Sequence, residues 1–227
     1  MNNDGIDVDS SRNAVIENFY CAHLTPPPSS TLQWPSDFSR MTWGTDDGGD
    51  DAIALKSGLC KAGVDFATPT ANVRIEHAVM RTRDACFCTG SEDEGGSHNV
   101  TIFDLSCRDS PKAILLKDAS TFGGLHPPKS NFSIERVQMH NISLWWHVKM
   151  TPGVGLTIQG VEGIRVSNVV GTMVPTAGSM QLASGVALSN ISILPGGSKH
   201  GWHCGSNVSG VTSSGTVSPA APCGSLQ

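Results

Sequence analysis

One short pattern recurs along the chain and limits what it can fold into. Each copy begins with an Asn or Gly, continues with alternating apolar residues and often ends in a second Asn. The later copies start 27, 32, 32 and 22 residues apart, which suits the coils of a solenoid. Such a strand buries one face only, and it gains a continuous core when the next coil stacks about 4.8 Å away. The copies begin at Asn13, Asn72, Asn99, Asn131, Gly163 and Gly185.

This recurrence predicts an all-β fold, a parallel β-helix, in which Asn and Gly occupy left-handed corners between the strands. An antiparallel β-sandwich also has short strands and turn signals, but the repetition of one motif with Asn at its start favours the solenoid. An α/β fold is disfavoured because no long helical pattern separates the strands. We expect residues 1–227 to form a single domain.

Two segments depart from the coil pattern. The gap between Asn13 and Asn72 is 59 residues, about twice a coil, and it contains the Pro-rich segment 23–45. We interpret that segment as an inserted loop. It could be a bystander or a lip over a groove, and its aromatic residues Trp34, Phe38 and Trp43 favour an ordered lip. Residues 195–227 are rich in Gly, Ser and Pro and predict a tail that wraps one end of the stack.

The charge and hydropathy of the chain argue against two classes of partner. The net charge is −5 and no basic block is present, so a nucleic-acid partner is disfavoured. No apolar run reaches the roughly 20 residues that span a bilayer. An acidic ligand would need local cations, because the overall charge would not attract it. We expect a monomer.

Cysteines and glycosylation sequons indicate the secretory route and an extracellular protein. Five Asn-x-Ser/Thr sequons occur, at Asn99, Asn131, Asn141, Asn190 and Asn207. For all seven cysteines, small buried hydrophobes or scaffold disulfides are favoured over a metal site. Cys204 and Cys223 bracket the tail and could pair. The first residues lack an apolar signal region, so we expect that the start of the protein is missing.

Two acidic segments contain the candidate catalytic residues, Asp4 in the first and the pair Asp50 and Asp51 in the second. Asp4 and Asp50 lie 46 residues apart, and subtracting the 23-residue insertion leaves 46 − 23 = 23, close to one coil. Positions one coil apart stack on the same face of a β-helix. We therefore expect Asp4 to lie beside the Asp50–Asp51 pair on a neighbouring rung.

Clustered carboxylates suit the hydrolysis of a glycosidic bond. One carboxylic acid protonates the leaving oxygen, and a carboxylate activates water or attacks the sugar carbon. Mutual repulsion separates the pKa values of such groups and so provides an acid and a base. A separation of about 6.5–9.5 Å leaves room for water and gives inversion. Two simpler interpretations stay open: a solvated Asp/Gly turn, and a calcium site that lacks the twelve-residue loop signature.

The order of the motifs resembles that of a known family, the polygalacturonases, which are the pectin-cleaving glycoside hydrolases of family 28. Asn2–Ser11 is similar to their Asn-Thr-Asp-Gly-Ile-Asp…Asp-Ser-Ser motif, and Gly49–Gly58 to their Gly-Asp-Asp segment. Gly90–Val100 resembles their Gly-Ser-Glu…Gly-Gly…Asn-Val stretch, and Trp202–Cys223 resembles the end of plant-type members. The resemblance covers nearly the whole chain in order.

The resemblance implies a right-handed single-stranded parallel β-helix. It also implies an inverting hydrolase of α-1,4-galacturonosidic or related linkages in pectin, with no obligatory metal or other cofactor. Asp50 matches the general acid, and Asp4 and Asp51 match the pair that positions and deprotonates the water. Lys117 matches a cation that holds the sugar carboxylate. Members of the family are longer on the N-terminal side, so we expect further coils before Asn2.

Two departures from the family pattern keep alternatives open. Ala85 occupies the position of a supporting His, and Leu115 that of an Arg, which removes a bidentate fork. Losing one charged partner would cost roughly 1.5–3 kcal/mol of binding. The alternatives are a non-catalytic glycan-binding β-helix of the cell wall and a hydrolase of another polysaccharide such as rhamnogalacturonan. His77 is a further residue that could approach the carboxylates from an adjoining coil.

Overall fold

The structure is a computed structural model that describes residues 4–22, 49–90, 92–118, 129–150, 161–174, 176–180, 183–194, 200–205 and 207–220. These residues form strands almost throughout, with one short helix, α1, at Cys60–Phe66. The first strands are β1 Ile6–Asp9, β2 Val15–Glu17, β3 Tyr20–Ala22, β4 Ile53–Lys56, β5 Thr70–Arg81, β6 Ala85–Thr89 and β7 Ser97–Asp118. The others are β8 Lys129–Met150, β9 Val161–Thr172, β10 Thr176–Met180, β11 Ala183–Leu194, β12 His200–Cys204, β13 Val208–Ser209 and β14 Thr212–Ser218.

The longest strands turn corners at residues with a left-handed backbone. In β7 the angle φ is 56° at Asn99, 60° at Asp104 and 47° at Asp109. The three aligned positions of β8 also have positive φ. Asn and Asp adopt this region more readily than other residues with a Cβ, because their short polar side chains bond locally. Each of these strands is therefore one coil that bends around three faces.

Every strand pairing in the described residues is parallel. The first face begins with β2 and the second with β3, and both continue through β5, β7, β8, β9 and β11. The third face, called here the site face, contains β1, β4, β6, the ends of β7 and β8, β10 and β12. The parallel pairing excludes the antiparallel sandwich and confirms the predicted stacking of coils.

An aliphatic ladder fills the core beneath the first face. The strand registers place its members directly above one another in five successive coils. Removing each of these side chains from water contributes about 1.5–3 kcal/mol before the cost of ordering the chain. The ladder consists of Ile75, Ile102, Ile134, Val166 and Leu188, all buried.

A second ladder, the asparagine ladder, runs along one corner of the stack and consists of Asn13, Asn72, Asn99 and Asn131. The Nδ2 atom of each later residue donates to the Oδ1 atom of the one before, over 2.9, 3.1 and 3.2 Å. All four have positive φ. The same corner continues at Gly163, where φ is 66°. The left-handed corners predicted from the Asn and Gly positions are confirmed.

The predicted accessory segments are described only in part. The inserted loop at 23–45 lies outside the described residues, so its order and its role as a lip stay predictions. The described part of the tail adds β12, β13 and β14, each parallel to an earlier strand, and wrapping of an end stays a prediction. The described residues contain no helix long and apolar enough to cross a membrane.

The cysteines show both forms expected for them. Cys86 and Cys107 form a disulfide that joins the site face to the second face through the core. Cys21 and Cys88 are free and buried. Cys204 is disulfide-bonded, but Cys223 lies outside the described residues. Pairing of Cys204 with Cys223 therefore stays a prediction.

Candidate active site

Three aspartates meet on the site face, where two neighbouring coils enter it. Asp4 precedes β1, and Asp50 and Asp51 precede β4, whose register pairs Ile6 with Ile53. One carboxylate oxygen from each aspartate lies within 4.8 Å of the others. The structure thus brings together the three residues that the coil spacing places on neighbouring rungs. We call Asp4, Asp50 and Asp51 the carboxylate cluster.

Backbone hydrogen bonds hold the cluster in place. The N–H of Gly5 donates to the carbonyl of Asp51 over 2.9 Å. The N–H of Asp51 donates to Oδ1 of Asp4 over 3.0 Å. The carbonyl of Asp50 accepts from the N–H of Asp84 and from the hydroxyl of Thr82. The next coil therefore fixes the backbone of the pair, and the pair in turn orients Asp4.

Asp51 is the most enclosed member of the cluster, with 2% of its surface exposed. Its Oδ1 accepts the N–H of Ala85 over 2.9 Å, and its Oδ2 lies 3.7 Å from Nζ of Lys117. Burial raises the pKa of Asp51 to about 6, although the charge of Lys117 opposes that rise. A carboxyl with a pKa of about 6 can both take up and release a proton near neutral pH. A group that transfers protons needs a pKa close to the working pH.

Asp4 has the opposite electrostatic character. Its side chain is 8% exposed, and its Oδ2 lies 2.9 Å from Nζ of Lys56. Burial would raise the pKa of Asp4, but hydrogen bonds from Lys56, from Asp7 and from the Asp51 backbone together lower it. Burial raises the pKa of the neighbouring Asp7. Asp4 is therefore the member of the cluster that stays ionised, because cations and donors surround it.

Lysines on two sides offset part of the negative charge. Lys117, the predicted ligand of a sugar carboxylate, lies at the end of β7 with 22% of its side chain exposed. Burial lowers the pKa of Lys117, but interactions with Cys88, Asp51 and Asp84 raise it overall. Lys56 lies on the other side of the cluster. Each lysine thus contacts a different aspartate.

The two departures from the family pattern form a small apolar cluster beside Asp51. Ala85 and Leu115 pack with Cys88, and all three are buried, with Leu115 only 3% exposed. The register pairs Cys88 with Leu115 directly. Ala85 contributes its backbone N–H to Asp51, so the position still supports the cluster without an imidazole. Leu115 offers no charged group to a substrate.

His77 does not join the carboxylates. Its Nδ1 pairs with Oδ2 of Asp104 at 2.9 Å, and its ring meets Phe103 edge to face. Asp104 lies one coil further along, at a corner of β7. The suggestion that His77 approaches the cluster is therefore wrong. Polar residues at equivalent corners simply stack on each other, as the asparagines do.

Sequence reasoning missed the contacts of two lysines, Lys56 and Lys112, that complete the site. Lys56 contacts Asp4, Asp7 and Glu92, and none of these contacts was anticipated. Lys112 pairs with Asp84, whose charge acts on Asp51. A signal existed for Lys56, since the register that brings Asp4 beside Asp51 also pairs Asp9 with Lys56. The contact with Glu92 depends on the following coil, whose length the motif does not fix.

One distance differs from the expectation. The nearest carboxylate oxygens of the cluster lie within 4.8 Å, closer than the 6.5–9.5 Å predicted for an acid and a base with water between them. That range applies to a single acid and base, whereas the three predicted carboxylates meet here and two of them are largely covered. Asp51 and Asp4 expose little surface, which limits direct attack on a sugar carbon.

Comparison with known proteins finds similarity to the family that the motifs resemble. No family profile matches the chain. A probable polygalacturonase of Vitis vinifera is 24% identical over an alignment of 237 residues, which covers 97% of this chain and 42% of that protein. The chain therefore spans less than half the length of the curated relative that it matches.

Two solved structures resemble this fold. The family 28 exopolygalacturonase of Yersinia enterocolitica matches with a TM-score of 0.58 and 14% identity, over 94% of this chain and 39% of that one. A hyperthermoactive exopolygalacturonase of Thermotoga maritima matches with a TM-score of 0.49 and 16% identity, over 84% and 40%. The likeness to the Yersinia enzyme supports the predicted all-β, right-handed, single-stranded parallel β-helix. The resemblance to polygalacturonases, predicted from the motifs, is confirmed along almost the whole chain.

Proposed function

We propose that the chain contains the catalytic coils of an inverting glycoside hydrolase. Its substrates are α-1,4-galacturonosidic or related linkages in pectin. One observation carries this proposal: three carboxylates from neighbouring coils converge within 4.8 Å, with a lysine beside two of them. The likeness to polygalacturonases supports the same reaction class. The arrangement supplies both proton donor and proton acceptor, as glycoside hydrolysis requires.

The three aspartates have different roles in this proposal. Asp50 is the general acid, because it is less buried than Asp51 and so can reach a glycosidic oxygen. Asp51 is the base that takes a proton from water, and its pKa of about 6 suits that transfer near neutral or mildly acidic pH. Asp4 stays ionised and orients the water. The two negative charges favour a proton on the third carboxyl, so the cluster titrates as a unit.

The stereochemical outcome is a separate part of the proposal. Carboxylates as close as these are found in retaining enzymes, where one of them attacks the sugar. Asp51 and Asp4 are too covered to act as the nucleophile, which favours attack by water and inversion. Proton NMR of the first-formed reducing end distinguishes the two outcomes. Initial release of the anomer with the original configuration would replace inversion by retention and leave the hydrolase proposal intact.

Lys117 selects an acidic sugar in this proposal. Its ammonium group is partly exposed and lies 3.7 Å from Asp51, so a uronate carboxylate could bind it beside the scissile bond. The chain as a whole is negative, and a local cation is needed to offset that charge. The sugar carboxylate would gain a charge-assisted hydrogen bond there.

The proposal is tested by reducing-end release from polygalacturonate. We expect Asp50→Asn to lower kcat by about 10²- to 10⁴-fold, the usual effect of removing a general acid. Asp104→Asn is the matched control, because Asp104 is a corner aspartate that pairs with His77 outside the cluster. Unchanged turnover in Asp50→Asn would refute Asp50 as the acid.

A second candidate function follows from the apolar cluster of Ala85, Cys88 and Leu115. No guanidinium stands at Leu115, so the site is poorer in cations than the family pattern implies. That favours a different pectic polysaccharide, such as rhamnogalacturonan, or a glycan-binding protein of the cell wall without turnover. A panel of polysaccharides decides between them. Product from rhamnogalacturonan alone selects the first, and a binding isotherm without product in a long incubation selects the second.

Secretion to the extracellular space or cell wall is part of the proposal. The five sequons support it, because they can be glycosylated only in the secretory pathway. The disulfide between Cys86 and Cys107 also suits an oxidising compartment. Fractionation of the source tissue with an antibody tests it, and recovery of the protein from the cytosol alone would contradict it.

A further inference from the structure

Lys56 connects three consecutive coils through its ammonium group. Its Nζ lies 2.9 Å from Oδ2 of Asp4, 3.1 Å from Oδ2 of Asp7 and 2.9 Å from Oε2 of Glu92. An ammonium group has three donors and no acceptor, so these carboxylates account for all of its hydrogen-bonding capacity. The side chain is only 17% exposed, which weakens screening by water and strengthens each contact.

The charged groups around Lys56 differ in what they can do. Asp4 and Asp7 face it from the coil before, and Glu92 faces it from the coil after. Asp9 is the register partner of Lys56 but accepts from the N–H of Gly58 and from Ser10 instead. Among the three partners, only Asp4 also belongs to the carboxylate cluster. The effect of Lys56 on the cluster therefore acts through Asp4.

Asp4 is held from two directions. Its Oδ1 accepts the N–H of Asp51, and its Oδ2 accepts from Lys56. These two bonds fix both the position of the carboxyl group and its rotation. Without Lys56, Asp4 would be a largely covered anion beside Asp50 and Asp51. It would then have to take up a proton or turn towards solvent.

We propose that Lys56 is a positioning residue for the reaction: it holds Asp4 ionised and aimed at Asp51, so that the proton shared by the cluster does not reside on Asp4. This inference rests on the proposed function. It also accounts for the enclosure of this lysine by three carboxylates. Glu92 and Asp7 keep the ammonium group over Asp4, and Lys56 keeps Asp4 in its working charge state.

The experiment compares Lys56→Met and Lys56→Arg with the wild-type chain. We expect Lys56→Met to lower kcat by about 10- to 100-fold, as for the loss of one charged hydrogen bond. The acidic limb of its pH–rate profile should move to higher pH, because Asp4 now takes up a proton more easily. Lys56→Arg keeps the charge and should recover part of kcat and return the limb towards its wild-type position.

The control is Arg74→Met, which removes a cation from an exposed pair with Glu76 on the first face. We expect its profile to match the wild type. If Lys56→Met does not fold, Lys56→Gln keeps a donor and loses the charge, and it is carried through the same measurements. Loss of thermal stability in Lys56→Met with an unmoved acidic limb would reduce Lys56 to a structural residue and overturn the proposal.

A second measurement separates this inference from the proposed function. Carbon-13 NMR of the aspartate carboxyl groups follows the titration of Asp4 directly, whether or not the chain turns over substrate. We expect a higher midpoint for Asp4 in Lys56→Met and a wild-type midpoint in Arg74→Met. An unchanged midpoint in Lys56→Met overturns the positioning role. A wild-type chain without hydrolytic activity refutes the proposed function but leaves this titration as the test of Lys56.

Discussion

The asparagine ladder and the carboxylate cluster use the same geometry with opposite electrostatic results. In both, parallel coils place one polar residue above another in the next coil. An asparagine donates to the rung before it and accepts from the rung after it, so the ladder satisfies itself. An aspartate brings acceptors only. Asp4 and Asp51 therefore depend on backbone N–H groups and on lysines.

The difference separates a part of the stack that serves stability from the part to which we assign the proposed chemistry. The neutral ladder lies on an exposed corner and needs no partner from elsewhere. The charged cluster lies largely buried, and burial raises the pKa of Asp51 to about 6. A buried anion among like charges lowers stability unless a proton or a cation offsets it. The cluster therefore lowers the stability of the solenoid, whereas the asparagine ladder on another corner does not.

The largest expected effect is a gain in stability for Asp51→Asn. The raised pKa of Asp51 means that its contribution to stability is fully present below pH 3.8 and is lost as the pH rises through about 6. A shift of about two pKa units corresponds to about 3 kcal/mol. We expect the variant to gain up to about 3 kcal/mol over the wild type at pH 8 and nothing at pH 3.5. Urea unfolding at both pH values measures this, and an equal difference at both would contradict it.

An intermediate effect on stability is expected when a carboxylate replaces an amide in the asparagine ladder. Asn99→Asp keeps a residue that tolerates a φ of 56° but removes the donor to Asn72. We expect a loss of about 1–2 kcal/mol at pH 7, because two acceptors then face each other. Protonation below about pH 3.9 restores a donor and part of the stability.

The matched control for that change is Asn99→Gly, which keeps the backbone conformation and removes the amide without adding charge. Its loss of stability should not depend on pH. Thermal unfolding of both variants between pH 3 and pH 7 compares them. A loss in Asn99→Asp that is the same at every pH would show that repulsion between the rungs is not the cause.

The smallest expected effect is a loss for Asp4→Asn. The pKa of Asp4 is lowered, so its contribution is present above about pH 3.8 and disappears as the pH falls through the lower folded value. We expect the variant to be about 1 kcal/mol less stable than the wild type at pH 7, because the charged hydrogen bond to Lys56 is lost. The deficit should vanish at low pH. Urea titrations test this, and a gain at pH 7, as for Asp51, would contradict it.

Much of the architecture could be predicted because it repeats. The Asn and Gly starts gave the coil spacing and the left-handed corners, both of which the registers and φ values confirm. The same spacing predicted that Asp4 would meet the Asp50–Asp51 pair, and the three carboxylates do lie together. These inferences needed only the rule that residues one coil apart stack.

Contacts between unlike residues could not be predicted in the same way. Lys56 reaches Asp4, Asp7 and Glu92 through a long side chain, and the spacing of the strands does not show which carboxylates of the neighbouring coils that side chain contacts. The pairing of Cys86 with Cys107 crosses the core between two faces, and seven cysteines allow many pairings. The pKa of Asp51 depends on burial that emerges only when the coils are stacked.

The disulfide between Cys86 and Cys107 affects how well the carboxylate cluster keeps its geometry under reducing conditions. Cys86 directly follows Ala85, whose N–H holds Asp51. The disulfide is therefore attached to the backbone one residue away from the Ala85 N–H that donates to Asp51. If a reductant breaks that disulfide, the rung can loosen while the aliphatic ladder and the asparagine ladder stay intact. We then expect the proposed hydrolytic activity to be lost before the fold is.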